Sequence, residues 1–128
     1  MSQKKEIENL HPHIRIMLNT YERMFGPGNY KLLCYIDETG SLQKACQKMG
    51  LSYSKGMKMI KNVEKQLGYP LVERWSGGKH GGGSCISDKG RQFLEQYRTL
   101  VEDVERYTCK KFNEIFNEEN KENYHEID

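Results

Sequence analysis

This chain has no long apolar run, no C-x-x-C pair and no common hydrolase motif. Each absence removes a class of protein. The longest apolar stretch, Leu32 to Ile36, falls far short of the roughly 20 residues that cross a bilayer. The opening Met1-Ser2-Gln3-Lys4-Lys5-Glu6-Ile7-Glu8 lacks the apolar core of a secretory signal. A soluble, cytoplasmic chain with no membrane partner is therefore expected. The four cysteines, Cys34, Cys46, Cys85 and Cys109, are too far apart for a zinc ribbon or a thioredoxin-type pair. They are expected to be reduced, three of them packed as small hydrophobes. No H-E-x-x-H, G-x-S-x-G or Ser-His-Asp order occurs. Glu102-Asp103 and Glu118-Glu119 lie in acidic surroundings that read as solvent-facing. His11 and His13 could share a strand face, but no further ligand lies nearby. The chain reads as a non-enzyme with no metal and no cofactor.

What is present is one modest core. The 128 residues are 36% hydrophobic with a mean hydropathy of −0.86. That excludes a two-domain receptor or a barrel of about 250 residues. The net charge of +2 conceals a division along the chain. Residues 1–40 are neutral, residues 41–94 carry +7 and residues 95–128 carry −5. A basic middle beside an acidic end points to a polyanion-binding face; an ordinary solvated surface is the alternative.

The fold class expected is mainly α with a small β hairpin. Residues 1–12 read as a flexible arm, and His13–Asn19, rich in strand formers, as a strand. After the turn Gly26-Pro27-Gly28, Asn29 is expected to cap a helix ending at Thr39-Gly40. Ser41 caps a second helix with Leu42, Ala45, Cys46 and Met49 at helical spacing, stopped by Gly50. Ser52 caps a third, running to about Leu67 and stopped by Gly68. Two capped helices joined through Gly50-Leu51-Ser52 form a helix-turn-helix pattern. Leu71–Trp75 and Ser84–Ile86 read as strands around a glycine-rich, basic tip. Ser87 then caps a long helix whose apolar positions run from Phe93 to Phe116. A stripe that long exceeds what so small a domain can cover, which favours pairing with a second copy.

On the third helix, Gly56, Ile60, Val63 and Leu67 share one sector, and Ser54, Lys58, Lys61 and Lys65 the opposite one, flanked by Lys55 and Asn62. Four lysines with only Glu64 among them suit a DNA-facing surface better than a solvated one, which mixes signs. Gly56 in a helix interior costs roughly 1 kcal/mol relative to Ala and marks close packing on the preceding helix. A phosphate loop of the G-x-x-x-x-G-K-[ST] type does not fit residues 76–83, because Gly78-Lys79 is followed by His80 between two strands. A DNA-contacting wing and a floppy linker both remain open there.

The stretches Gly26-Pro27-Gly28-Asn29-Tyr30-Lys31-Leu32-Leu33, Ile36-Asp37-Glu38-Thr39-Gly40-Ser41-Leu42 and Met49-Gly50-Leu51-Ser52-Tyr53-Ser54-Lys55 resemble the N-terminal domain of the molybdate-responsive ModE-type regulators. So do Pro70-Leu71-Val72-Glu73-Arg74, the glycine-rich wing and Ser87-Asp88-Lys89-Gly90-Arg91. From Ser52 to Arg74 the chain is also similar to the winged helix of LysR-type regulators. The resemblance covers roughly residues 13–100. It implies a winged helix-turn-helix that dimerises through long helices. Ser52, Tyr53, Ser54, Lys55 and Lys58 match the start of the recognition helix, and Arg74, Lys79 and His80 match the wing. Gly56 and Met57 depart from bulkier or polar residues there. On this reading no molybdate-binding domain follows, and the effector is unknown.

The expected domains are an arm (1–12), a winged helix-turn-helix (13–87), a long dimerisation helix (88–116) and a polar tail (117–128). The expected function is a sequence-specific transcriptional regulator, a homodimer on an inverted repeat in double-stranded DNA. DNA contact is assigned to Ser41, Ser52, Tyr53, Ser54, Lys55, Lys58, Lys61, Arg74, Lys79 and His80. Dimer contact is assigned to Phe93, Tyr97, Leu100, Val101, Val104 and Thr108. The alternative is a protein-interaction module pairing with a separate sensor subunit. A third, less supported reading is a metal- or anion-sensing switch using His11, His13, His80 or a cysteine.

Overall fold

The computed structural model describes residues 7–76 and 82–116. The element order is β1 (Leu18–Asn19), β2 (Arg23–Phe25), α1 (Pro27–Thr39), α2 (Leu42–Met49), α3 (Tyr53–Leu67), β3 (Val72–Trp75), β4 (Gly83–Ile86) and α4 (Asp88–Phe116). The chain divides into two units. One is Arg15–Tyr97, and the other joins Met1–Ile14 with Arg98–Asp128. The division falls within α4, because Gly90, Leu94 and Tyr97 are buried residues of that helix and those beyond are not.

Unit Arg15–Tyr97 is a winged helix-turn-helix. Its core holds Phe25, Leu32, Leu33, Ile36, Cys46, Val63 and Leu71, all essentially without solvent contact. Phe25 is the hub, with its ring edge-on to Phe93 and Tyr97 at 4.9 Å from each. Such pairs add about 0.5–1.5 kcal/mol each beyond area burial.

The caps form much as the sequence suggests. Ser41 Oγ accepts from Lys44 N and Ser52 Oγ from Lys55 N, both at 3.1 Å. Gly40 and Gly50 close α1 and α2 at φ +70° and +68°, where a side chain would be strained. Ser87 Oγ accepts from Gly90 N at 2.9 Å and donates to Pro70 O at 2.6 Å. That ties the start of α4 to the loop after α3.

Two local expectations are corrected. The strand at His13–Asn19 shortens to Leu18–Asn19, which pairs antiparallel with Arg23–Phe25. The preceding residues have no ladder partner; the Ile16 carbonyl instead accepts from Tyr97 Oη at 2.8 Å. Asn29 does not cap α1. The helix begins earlier, with Pro27 in its first turn after Gly26, and Asn29 Oδ1 accepts from Gly26 N at 2.9 Å. Proline there forfeits no helical hydrogen bond.

The wing is the antiparallel pair β3–β4, with Val72 opposite Ile86 and Trp75 opposite Gly83. It is fastened to the helix-turn-helix by Ser84. Ser84 N donates to Gly40 O at 2.9 Å, and Ser84 Oγ accepts from Leu42 N at 3.3 Å.

Helices α2 and α3 meet at Gly56, where an added Cβ would overlap Cys46 Sγ. Gly56→Ala gains up to about 1 kcal/mol of helix propensity but incurs overpacking of about 1–3 kcal/mol. The expected outcome in urea unfolding is net destabilisation. Adding Cys46→Ala should recover most of the loss, because the overlapping sulfur is then gone.

Candidate nucleic-acid interface

The exposed face of α3 is built by its cap and its periodicity. Ser52 and Ser41 each use one oxygen lone pair on a helix N–H, which leaves the hydroxyl proton free to donate outward. Ser54, Lys55, Lys58, Lys61 and Lys65 are all exposed, and Gly56, Ile60 and Val63 are buried opposite them. Ser52, Tyr53, Ser54, Lys55, Met57, Lys58 and Lys61 line one open, shallow concavity.

Glu64, the only acid on α3, is turned away from this face. Its Oε2 accepts from Leu71 N at 2.8 Å and Val72 N at 3.2 Å, anchoring the entry to the wing. The lysine row thus has no ion-pair partner among the described residues. A signal existed in the sequence: Glu64 lies beside the buried sector of the helix, not opposite it.

Arg74 and Tyr53 are brought together. Arg74 Nη1 donates to Tyr53 Oη at 3.1 Å and links the wing to the first turn of α3. Both border a groove with Ser41 and Gln43 of the α2 start and Gly83 of the wing. The assigned Lys79 and His80 lie outside the described residues.

Three other cations of the basic segment are engaged by partners within the chain. Arg91 holds Asp37 in a two-pronged pair at 2.7 and 3.2 Å. Lys48 pairs with Glu38 at 3.2 Å, and Lys89 lies 5.4 Å from the Tyr69 ring centre. Among the described residues Lys44 and Arg74 also lack an acidic partner, and the largest group of unpaired cations is the lysine row of α3. None of these pairs joins residues close in sequence, so none was legible beforehand.

Two of the residues assigned to dimer contact make packing contacts within the chain. Phe93 and Tyr97 pack on Phe25, and Tyr97 is 3% exposed; burial also raises the pKa of its hydroxyl. Leu100 is exposed, and Val101, Val104 and Thr108 are half-buried. Further along, Phe112 and Phe116 stack at 4.9 Å, and Tyr107, Ile115 and Phe116 are exposed. Cys46 is buried, Cys34 and Cys85 are half-buried and Cys109 is exposed, and none of them forms a disulfide. Among the described residues no His, Cys, Asp and Glu cluster could hold a metal, and no helix is long and apolar enough to cross a membrane.

Residues 28–80 match the model of the family described as bacterial regulatory helix-turn-helix protein, lysR family. The chain is 36% identical over 70 residues to the molybdenum transport protein ModE of Azotobacter vinelandii, covering 55% of this chain and 26% of that protein. It is 29% identical over 90 residues to the DNA-binding transcriptional dual regulator ModE of Escherichia coli K12, covering 70% of this chain and 34% of that one. It therefore spans about a quarter to a third of the curated relatives it matches. Among solved structures, the BenM DNA-binding domain in complex with catB site 1 DNA aligns with a TM-score of 0.50 at 20% identity. That alignment covers 67% of this chain and 90% of that one.

The Arg91 guanidinium holds the Asp37 carboxyl below its ordinary value, chiefly by hydrogen bonding. A carboxyl lowered in the folded state stabilises above its unfolded value near pH 4 and loses that contribution as pH falls through the lowered one. Asp37→Asn should therefore melt below the native chain at pH 7, and the gap should close on acidification below about pH 4. Thermal melts across that range test this.

Proposed function

From a LysR-type helix-turn-helix domain at residues 28–80, resembling the N-terminal part of ModE proteins, we propose a sequence-specific DNA-binding transcriptional regulator that acts as a homodimer on an inverted repeat. The observation that carries this reading is the lysine row of α3, whose one helical acid is turned inward onto the backbone of the wing entry. Such a face neutralises phosphates and releases condensed counterions. With α3 in the major groove, Tyr53, Ser54 and Lys55 of its first turn reach base edges. Lys58 and Lys61, one and two turns further on, meet backbone phosphates. Ser41 and Ser52 donate to phosphate through their free hydroxyl protons. Arg74, with Lys79 and His80 from the sequence between β3 and β4, extends the contact to a neighbouring groove. The Escherichia coli K12 relative is described as a DNA-binding transcriptional dual regulator, which supports a non-enzymatic role.

Dimerisation is assigned to the α4 stripe after Tyr97, namely Leu100, Val101, Val104 and Thr108. Half-sites on one face of the duplex would then lie about 34 Å apart, or a multiple of it. A second reading is favoured by the exposed Tyr107, Ile115 and Phe116. In it, α4 docks a separate sensor subunit and DNA contact is incidental.

The test is affinity measured against salt. Lys58→Ala and Lys61→Ala should each weaken binding to all duplexes and lower the slope of log K against log salt by about one unit. Tyr53→Phe or Lys55→Ala should change which sequences bind best. Val104→Glu should yield monomers in sedimentation and lose preference for a two-fold site. Salt-independent or absent DNA binding by the native chain would favour the second reading.

A further inference from the structure

Trp75, the chain's single tryptophan, ends β3 beside the Arg74–Tyr53 bridge and is 54% exposed. The wing holds the ring in place. Trp75 pairs with Gly83 across the hairpin, and a Cβ on Gly83 would lie 2.5 to 3.2 Å from three atoms of the indole. The glycine therefore lets the ring lie against the β4 backbone, which fixes its direction and limits the entropy lost when a partner covers it. Among the described residues its Nε1–H donates to no protein acceptor.

The groove that Trp75 borders explains what would cover it. Its walls include Ser41 and Gln43 from the first turn of α2, Tyr53 from the first turn of α3, and Arg74 and Gly83 from the wing. Two helix starts, a guanidinium and hydroxyl and amide donors converge there, and among the described residues no acidic side chain lines it. The complement of such a groove is an anionic strand.

We infer that Trp75 is a further DNA-contact residue, packing its indole on a deoxyribose and donating Nε1–H to an adjoining phosphate of the strand that edges the groove occupied by α3. The inference rests on the DNA-binding reading above. It assigns Trp75 to the sugar-phosphate backbone, not to a base edge, so Trp75 contributes affinity without sequence preference. Tyr53, Arg74 and Trp75 then act as one continuous rim from recognition helix to wing.

The chain's own fluorescence tests this, because all tryptophan emission comes from Trp75. Duplex DNA is titrated into the full chain, with binding read from the anisotropy of an end-labelled duplex. Tryptophan emission and acrylamide quenching are followed in parallel. The expected result is that emission changes in step with binding and acrylamide access falls. Trp75→Phe keeps a ring over Gly83 without the N–H and should bind roughly threefold more weakly, and Trp75→Ala roughly tenfold more weakly, on every sequence alike. Normal anisotropy with unmoved emission and acrylamide access overturns the inference and leaves the DNA-binding reading standing. So do variants that bind like the native chain, or that change sequence preference. Absence of anisotropy change at low salt sinks both.

Discussion

Helices α2 and α3 cross where a glycine hydrogen at position 56 faces the Cys46 sulfur. No larger side chain fits there, so the contact sets how closely α3 approaches the helix before it. Everything α3 presents follows from that approach. Ile60 and Val63 reach the core shared with Leu32 and Leu33, and the opposite face is left to Ser54, Lys55, Lys58, Lys61 and Lys65. The first turn of α3 is then close enough to the wing for Arg74 to reach Tyr53. Close packing in a small domain converts a single missing methyl group into the placement of a whole surface.

Electrostatic arrangement follows from the same packing. The net charge of +2 says little by itself, since a +7 segment is offset by an acidic end. Within the basic segment the structure sorts the charges again. Arg91 and Lys48 are taken by Asp37 and Glu38, residues of α1. Glu64 is taken by the backbone at the wing entry. The two ion pairs are largely solvent-exposed and individually weak. Their effect on the field is larger than their effect on stability: they leave the exposed face of α3 with one sign. The Ser84 bonds to Gly40 and Leu42 hold the wing beside that face.

The helices were legible in the sequence because their signals are local. Ser41, Ser52 and Ser87 announce starts, Gly40, Gly50 and Gly68 announce stops, and three- and four-residue spacing separates core from surface. Gly56 was legible as a close approach, though not its partner. The β1–β2 hairpin was not, because a strand is defined by its partner and Ile14–Met17 find none. The long-range pairs escaped for the same reason. Glu64 with Leu71, Asp37 with Arg91 and Ser84 with Gly40 join positions that no periodicity relates. Tyr97 shows the limit of reading a helical stripe. Its spacing matches Leu100 and Val104, but its ring belongs with Phe25 and its hydroxyl with Ile16. Periodicity identifies an apolar face without saying which length of it the chain's own core consumes.

The central claim is that the α3 face reads duplex DNA and that two copies do so together. Selection of bound duplexes from a random pool at moderate salt, followed by sequencing, addresses both parts at once. The account predicts enrichment of a two-fold symmetric motif whose half-sites lie about one helical turn apart, or a multiple of it. Recovery of duplexes with no enriched sequence, or no recovery at all, would contradict it.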